Sequence, residues 1–245
     1  DLPEDLALSD RLLSETAFVR ILIRGDWQAE IAPGYWAGAG PVVFFGPNEF
    51  PLLVRVRGSF TVAGFAIHPG GWRSLFDRSA RDYADQMIPL SAAWGSIADR
   101  LWAETREEAD DARLVAAMER AILAQLAWIG LRSPDIQMNH FAEIARADST
   151  IRIDDAAAQV GLSVRQLERR CLASFGLSPK AVLRRSRFLD MATAMRGFSS
   201  PSEEELAALR YFDQSHLTRE FKRFAGMTPR AFQRTQTPLF TAGLN

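Results

Sequence analysis

The chain has a single cysteine and few histidines or lysines. Cys171 is the only cysteine in 245 residues, and the three histidines, His68, His140 and His216, lie far apart. One thiol forms no internal disulfide, and no CxxC or His/Cys cluster is present from which a zinc site could be built. A disulfide-stapled fold and a structural metal are therefore excluded, and no cofactor is expected. No stretch approaches the ~18 uninterrupted apolar residues of a membrane-spanning helix, and the acidic start DLPEDLALSD lacks the basic-then-apolar profile of a signal peptide. The expectation is a cytoplasmic protein with no membrane partner. What is present, 47% hydrophobic and 24% charged residues at a net charge of -1, suffices to bury one large core or two ordinary ones.

The near-neutral total hides an asymmetry. Lysine is absent from residues 1–135, where 13 arginines stand against 19 acids for a net -6, while residues 136–245 carry 14 arginines and 2 lysines against 11 acids for a net +5. A change of sign between halves points to two domains with different partners, the basic one suited to a polyanion.

From Thr16 to His68 short apolar runs of strand composition, FVRILI, PVVFF, PLLVRVRG and FTVAGFAI, are separated by Gly, Pro and Asn. Val54 and Val56 alternate with Arg55 and Arg57, the period of a sheet with one buried face, and Gly58-Ser59 reads as a hairpin turn. After His68-Pro69-Gly70-Gly71 the composition turns helical: WRSLFD is a short helix and MIPLSAAWG a connection ending at Gly95. From Ser96 to Gly130 apolar residues recur at three- and four-residue steps, broken into two helices by ETREEADD. Ser133-Pro134-Asp135 is a linker. Beyond it helices are predicted at 139–147, 153–160, 163–174, 179–196, 202–210 and 214–225, with a short one after Pro229. Gly161, Ser163, Gly176 and Pro179 punctuate them.

Two segments of this helical block look alike. AAAQVGLSVRQLERRCLASFGLSPKAVLR, from Ala156, and LAALRYFDQSHLTREFKRFAGMTPRAFQR, from Leu206, align without a gap, matching Leu167 with Leu217, Arg169 with Arg219, Gly176 with Gly226, Pro179 with Pro229 and Arg184 with Arg234. A short helix, a turn and a second helix with one polar face is the arrangement that sets the second helix into a major groove, so the pattern is a duplicated helix-turn-helix. Ser163, Arg165, Gln166, Glu168, Arg169 and Arg170 of the first unit, and Gln214, Ser215, His216, Thr218, Arg219, Lys222 and Arg223 of the second, are the candidate DNA-binding residues. Arg can bond guanine O6 and N7 together, Gln can do the same at adenine, and other cations neutralise phosphate. Leu167, Leu217 and Phe221 are expected to face inward.

On GLSVRQLERR with FGLSPKAVLRRSRFLDMATAM, and on YFDQSHLTREFKRFAGMTP, the block 138–236 resembles the DNA-binding domain of AraC-family (AraC/XylS-type) transcription regulators. The resemblance implies two helix-turn-helix units joined by a central helix, about 179–196, that sets two recognition helices into successive major grooves. It also implies that Arg165, Glu168 and Arg169, and Gln214, Ser215, His216 and Arg219, face bases or backbone. Three positions depart from the family pattern: Arg210 replaces the turn glycine of the second unit, Leu206 a small alanine, and Cys171 a core phenylalanine. The stretch from LLVRVRGSFTVAGFAIHPGGWRSLF to MIPLSAAWG resembles an amino-terminal module of some such regulators, a reduced cupin-like sheet followed by helices, which implies an effector or partner role.

Blander readings stand beside these. The arginines could be a solvated basic face, and His216 a surface histidine. His68 reads as a turn residue, and Cys171 as core packing in preference to a redox sensor. The aromatics from Trp27 to Trp72 read as core, with lining of an effector pocket as the alternative. Asp154-Asp155 and Glu203-Glu204-Glu205 fall at helix starts, where they compensate the dipole.

The expected architecture is multidomain. An N-terminal α+β domain (1–95, a small antiparallel, cupin-like sheet) senses or dimerises, a helical connector follows (96–135), and the C-terminal all-α domain (136–240) holds the double helix-turn-helix. The expected function is a DNA-binding transcription regulator, not an enzyme. Its partners are double-stranded DNA, a small-molecule effector and, for an activator, RNA polymerase. Whether the connector pairs two chains into a homodimer or covers its own sheet is left open. The alternatives are a DNA-modifying or repair enzyme, for which residues 1–135 hold no cysteine, and a protein-binding helical adaptor.

Overall fold

A computed structural model of the chain describes residues 7–13, 16–107, 110–197 and 214–235. The expected helix 202–210, the departures at Leu206 and Arg210, and Glu203–Glu205 lie outside the described residues.

The N-terminal half is built on an antiparallel sheet of β1 (Ala7–Leu12), β2 (Phe18–Ala32), β3 (Tyr35–Ala37), β4 (Val42–Phe45), β5 (Leu52–Ala66) and β6 (Met87–Pro89). The strands lie in the order β1-β5-β2-β4-β6, with β3 on the far end of β2. β4 illustrates why this sequence makes a sheet buried on both faces. Val42 and Phe44 point into one core and Val43 and Phe45 into another, so four consecutive apolar residues satisfy a period of two in two directions.

The hairpin expected at Gly58-Ser59 does not form. β5 runs unbroken through it and pairs with β2 from Phe18↔Ala66 to Ala29↔Val54. The register shifts twice between Leu22 and Asp26, and Gly58 (φ +73) and Gly25 (φ +92) adopt left-handed backbone there. A Cβ on Gly25 would lie 2.6 Å from the Ser59 carbonyl oxygen, so the strands approach closely where they bend. The glycine that suggested a turn serves a bulge that bends the strand pair. MIPLSAAWG is also more than a connection, since it supplies β6 and a short helix, α2 (Ser91–Trp94), after α1 (Trp72–Leu75).

Helices α3 (Ser96–Thr105) and α4 (Asp111–Ile129) flank the acidic break as expected. Ile97, Ala98, Leu101, Ala117 and Ala121 join Val19, Ile21, Phe44, Trp72 and Trp94 in one core. The inner face of this connector thus covers its own sheet, while Val115, Leu123 and Trp128 remain exposed.

The helical half comprises α5 (Ile136–Ala147), α6 (Ile153–Gln159), α7 (Val164–Phe175), α8 (Pro179–Met195), α9 (Gln214–Ala225) and α10 (Pro229–Arg234). Its first core gathers Met138, Phe141, Leu167, Cys171, Phe175 and Val182, and its second Phe188, Ala192, Phe221, Phe224 and Phe232. Leu13, the residue after β1, is buried in that second core. Helix α8 contributes to both.

Phe44 is fully buried and touches the rings of Trp72, Phe76 and Tyr83. Phe44→Ala should lower the stability of the chain by about 3–5 kcal/mol, read as a shift of the urea midpoint. Cys171 is buried beside the Phe141–Phe175 edge contact, and burial, with the nearby Asp135 carboxylate adding to it, pushes its thiol well above the ordinary range. It should therefore stay inert to a thiol reagent in the folded chain and react on adding denaturant, the opposite of an exposed redox sensor.

Candidate nucleic-acid interface

The first unit is α6, a turn and α7. Gly161 (φ +69) turns the chain, and Ser163 caps α7. The Ser163 hydroxyl accepts from the Gln166 N–H at 3.3 Å while Gln166 Oε1 accepts from the Ser163 N–H at 2.9 Å. This reciprocal capping box was legible as Ser-x-x-Gln, and it commits Ser163 and one end of Gln166 to holding the helix start. Asp154 and Asp155 occupy the first turn of α6, near its positive end, with Arg152 beside them at 3.2 Å and 4.0 Å. Leu167, Cys171 and Phe175 face the core, leaving Arg165, Glu168 and Arg169 exposed along the outer face of α7.

Arg170 is placed differently. Its guanidinium bonds both carboxylate oxygens of Asp135 and the side-chain oxygen of Gln137. Asp135 is itself buried and caps α5 through the Met138 N–H. Arg170 thereby ties the recognition helix to the linker residue that opens the helical half.

In the second unit, α9 repeats the pattern of α7. Phe221, Phe224 and Ala225 are buried, with Leu217 packed against them. Ser215, Arg219 and Lys222 are exposed, while His216, Thr218 and Arg223 are half-buried. Gln214 opens the helix. The repeat also holds beyond the recognition helices. Gly176 and Gly226 take φ +69 and +67 after α7 and α9, and Ser178 and Thr228 each cap the next helix with a proline in its first turn. Arg169 and Arg219, matched in sequence, are exposed in both units.

Glu220 and Arg184 lock α9 onto α8. Both carboxylate oxygens of the buried Glu220 accept from the Arg184 guanidinium, at 2.5 Å and 3.1 Å, and the His216 ring lies 3.9 Å away. A buried carboxylate held by a two-pronged guanidinium fixes rotation as well as distance.

Between α6, α8 and α9 lies an open cleft of about 810 Å³ lined by Arg152, Lys180, Arg184, Arg187, Arg219 and Arg223, with Asp154 and Glu220 as its acids. Arg152, Lys180 and Arg187 were not among the residues expected from sequence. The signal for Lys180 and Arg187 was a run of basic residues on the central helix, KAVLRRSR, which mixes this cleft with the buried Arg185, while Arg152 stands alone before α6. Arg187 donates to the Ser149 carbonyl at 3.0 Å, and Ser149 donates to Asp190 at 2.9 Å, whose carboxyl is pushed up chiefly by burial. Arg196, at the end of α8, donates to the Thr235 carbonyl at 2.6 Å and has its ionisation lowered by desolvation, with nearby Asp10 opposing.

Arg223, at the edge of the cleft, also pairs with Glu49 of the N-terminal half and lies 5.2 Å from the centre of the Phe50 ring. His68 sits at a turn, its carbonyl accepting from the Gly71 N–H at 2.8 Å. Among the described residues no group of three or more His, Cys, Asp or Glu could hold a metal ion, and no helix is long and apolar enough to cross a membrane.

A family model described as a helix-turn-helix domain matches residues 156–235. No curated protein matches the chain significantly. Solved structures do. ToxT from Vibrio cholerae, in a P21 crystal form, is 10% identical over 95% of this chain and 95% of that one, at a TM-score of 0.50. Wild-type ToxT from Vibrio cholerae strain SCE256, with an unsaturated fatty acid bound, is 11% identical over 96% of this chain and 93% of that one, again at 0.50. ToxT from Vibrio cholerae O395 bound to (E)-4-(8-methylnaphthalen-1-yl)but-3-enoic acid is 10% identical over 95% and 96%, also at 0.50. At such identity the likeness is one of fold, an antiparallel-sheet half followed by a helical half in the same order. Residues 156–235 therefore match a helix-turn-helix domain family, over the same stretch in which the sequence resembles AraC-type regulators.

Proposed function

We propose that the chain is a sequence-specific, double-stranded-DNA-binding transcription regulator of the cytoplasm and not an enzyme, with α7 and α9 entering successive major grooves. The observation that carries this reading is the equivalence of two helices, α7 and α9, packed on one shared helix, each presenting an exposed arginine, Arg169 and Arg219, at the same position of the motif. Arg165, Glu168 and Arg169, with Ser215, His216, Thr218 and Arg219, are the base-facing set. Lys222 and the cleft cations Arg152, Lys180 and Arg187 supply phosphate contacts. Arg170 and Arg223 are held by Asp135 and Glu49, and Gln166 by its cap, so their part in DNA binding is indirect or follows release.

The N-terminal half is the effector-binding domain in this reading. Two of the ToxT structures of the same fold hold organic acids, and the sheet here leaves a cavity beside Phe18, Phe45 and Met87. RNA polymerase is the further partner if the regulator activates. The exposed outer face of α4, with Val115, Leu123 and Trp128, is the surface a second copy would use.

Selection of bound sequences from a random DNA pool with the full chain tests the reading. It should enrich one asymmetric site with two contacted blocks about one helical turn (~10 bp) apart. A folded chain that enriches nothing would overturn it. On the selected site, Arg169→Ala and Arg219→Ala should each cost about 1–3 kcal/mol of specific binding, measured by anisotropy titration. An equal loss on random DNA would reassign them to phosphate. Affinity should fall steeply with added salt as neutralised phosphates release their counterions.

A further inference from the structure

The loop Gly46–Pro51, between β4 and β5, touches both helix-turn-helix units at the same point of the motif. A Cβ built on Gly176, which closes α7, would lie 2.6 Å from Cγ of Pro47, and one built on Gly226, which closes α9, 3.1 Å from Cγ of Pro51. Between the two prolines, Glu49 holds Arg223 and the Phe50 ring lies against the same guanidinium. The loop is internally tied. Asp85 Oδ1 accepts from the Glu49 and Phe50 N–H groups at 2.9 Å and 3.4 Å, and the Asn48 amide donates to the carbonyls of Phe50 and Leu13 at 2.6 Å and 3.3 Å. Leu13 is the residue buried in the core of the second unit. One short segment of the N-terminal half is thus in contact with the ends of both recognition helices.

A cavity of about 130 Å³ is lined by this loop, through Phe50 and Pro51, and by Phe18, Phe45, Leu52 and Met87 of the sheet. Apolar cavities of about this size accept a single aromatic ring. Among the lining side chains only Asp85 carries a charge, and its Oδ1 is engaged by the loop. A carboxylate ligand would therefore meet an acid with no cation among the lining residues, whereas an uncharged ring meets the apolar side chains of Leu12, Phe18, Phe45, Phe50, Leu52 and Met87.

We propose that this cavity binds a small, uncharged, single-ring aromatic molecule, and that the loop Gly46–Pro51 transmits its occupancy to α7 and α9. The proposal rests on the effector-binding reading above and specifies its ligand class and its route to the DNA-binding half. A ligand that fits the cavity as it stands stabilises the conformer in which Glu49 holds Arg223, and DNA that draws Arg223 away opposes it. By linkage, ligand and DNA weaken each other.

Toluene and benzoate, single-ring aromatics of which only the second is charged, are the probes, with nitrobenzene as the uncharged isostere of benzoate that should behave as toluene does. Toluene should raise the thermal midpoint of the full chain saturably and benzoate should not. Met87→Trp, or Leu52→Phe if the first variant does not fold, should abolish the toluene shift. On the selected DNA site saturating toluene should weaken binding by about fivefold or more. Glu49→Gln should keep the toluene shift, bind DNA more tightly and lose the toluene effect on DNA. The absence of a saturable toluene shift, or an equal shift with benzoate, overturns the site. A toluene effect on DNA that persists undiminished in Glu49→Gln overturns the route. A chain that shows the toluene shift but binds no DNA keeps the site and refutes the regulator reading, so the two failures are distinguishable.

Discussion

Helix α8 belongs to two hydrophobic cores at once. Ala181, Val182 and Leu183 in its first half complete the core of the first helix-turn-helix unit, and Phe188 and Ala192 in its second half complete that of the second. Because a single α-helix is rigid over such a length, burying both ends fixes the distance between the units and their rotation about the helix axis. The Arg184–Glu220 pair adds a directional constraint to the non-directional packing, since a two-pronged guanidinium–carboxylate contact tolerates little rotation. The relative position of the outward faces of α7 and α9 depends on this coupling, because both helices are held on the one helix they share.

The same principle joins the halves. Leu13, the residue after β1, is buried among Phe188, Phe221 and Phe224, so part of the core of the second unit is supplied by the N-terminal half. Pro47 and Ala80 lie against Gly176, Pro51 and Arg11 against Gly226, and the Ser79 hydroxyl donates to the Leu172 carbonyl at 3.2 Å. The halves meet through apolar packing supplemented by polar contacts, the Arg223–Glu49 ion pair among them, and such a contact can hold or release a helix without unfolding either side.

Much of the helical half was legible because its signals are local. Apolar residues at helical spacing, Ser163 and Ser178 at caps and Gly176 and Gly226 at exits define elements within a few residues of themselves, and the gapless repeat exposed the duplication. The strand reading erred where local and non-local meaning diverge. Gly58 carries the same left-handed backbone in a tight turn as in a bulge, and only the pairing of β5 with β2 distinguishes the two. Likewise, Ser-x-x-Gln at 163–166 is the local signature by which Gln166 caps its own helix, whereas its place on a basic helix suggests a base contact.

The sequence by itself determined that two similar helix-turn-helix units follow a β-rich half of opposite charge, and which residues of each recognition helix face inward. These follow from periodicity, capping chemistry and charge, which act between near neighbours. Only the tertiary structure decided which outward cations are free to meet a polyanion. Arg165, Arg169 and Arg219 stay exposed, whereas Arg170 is bonded to Asp135, 35 residues away, and Arg223 to Glu49, 174 residues away. An arginine's long side chain reaches whatever carboxylate the fold brings near, and that carboxylate's position in the chain bears no relation to its position in space.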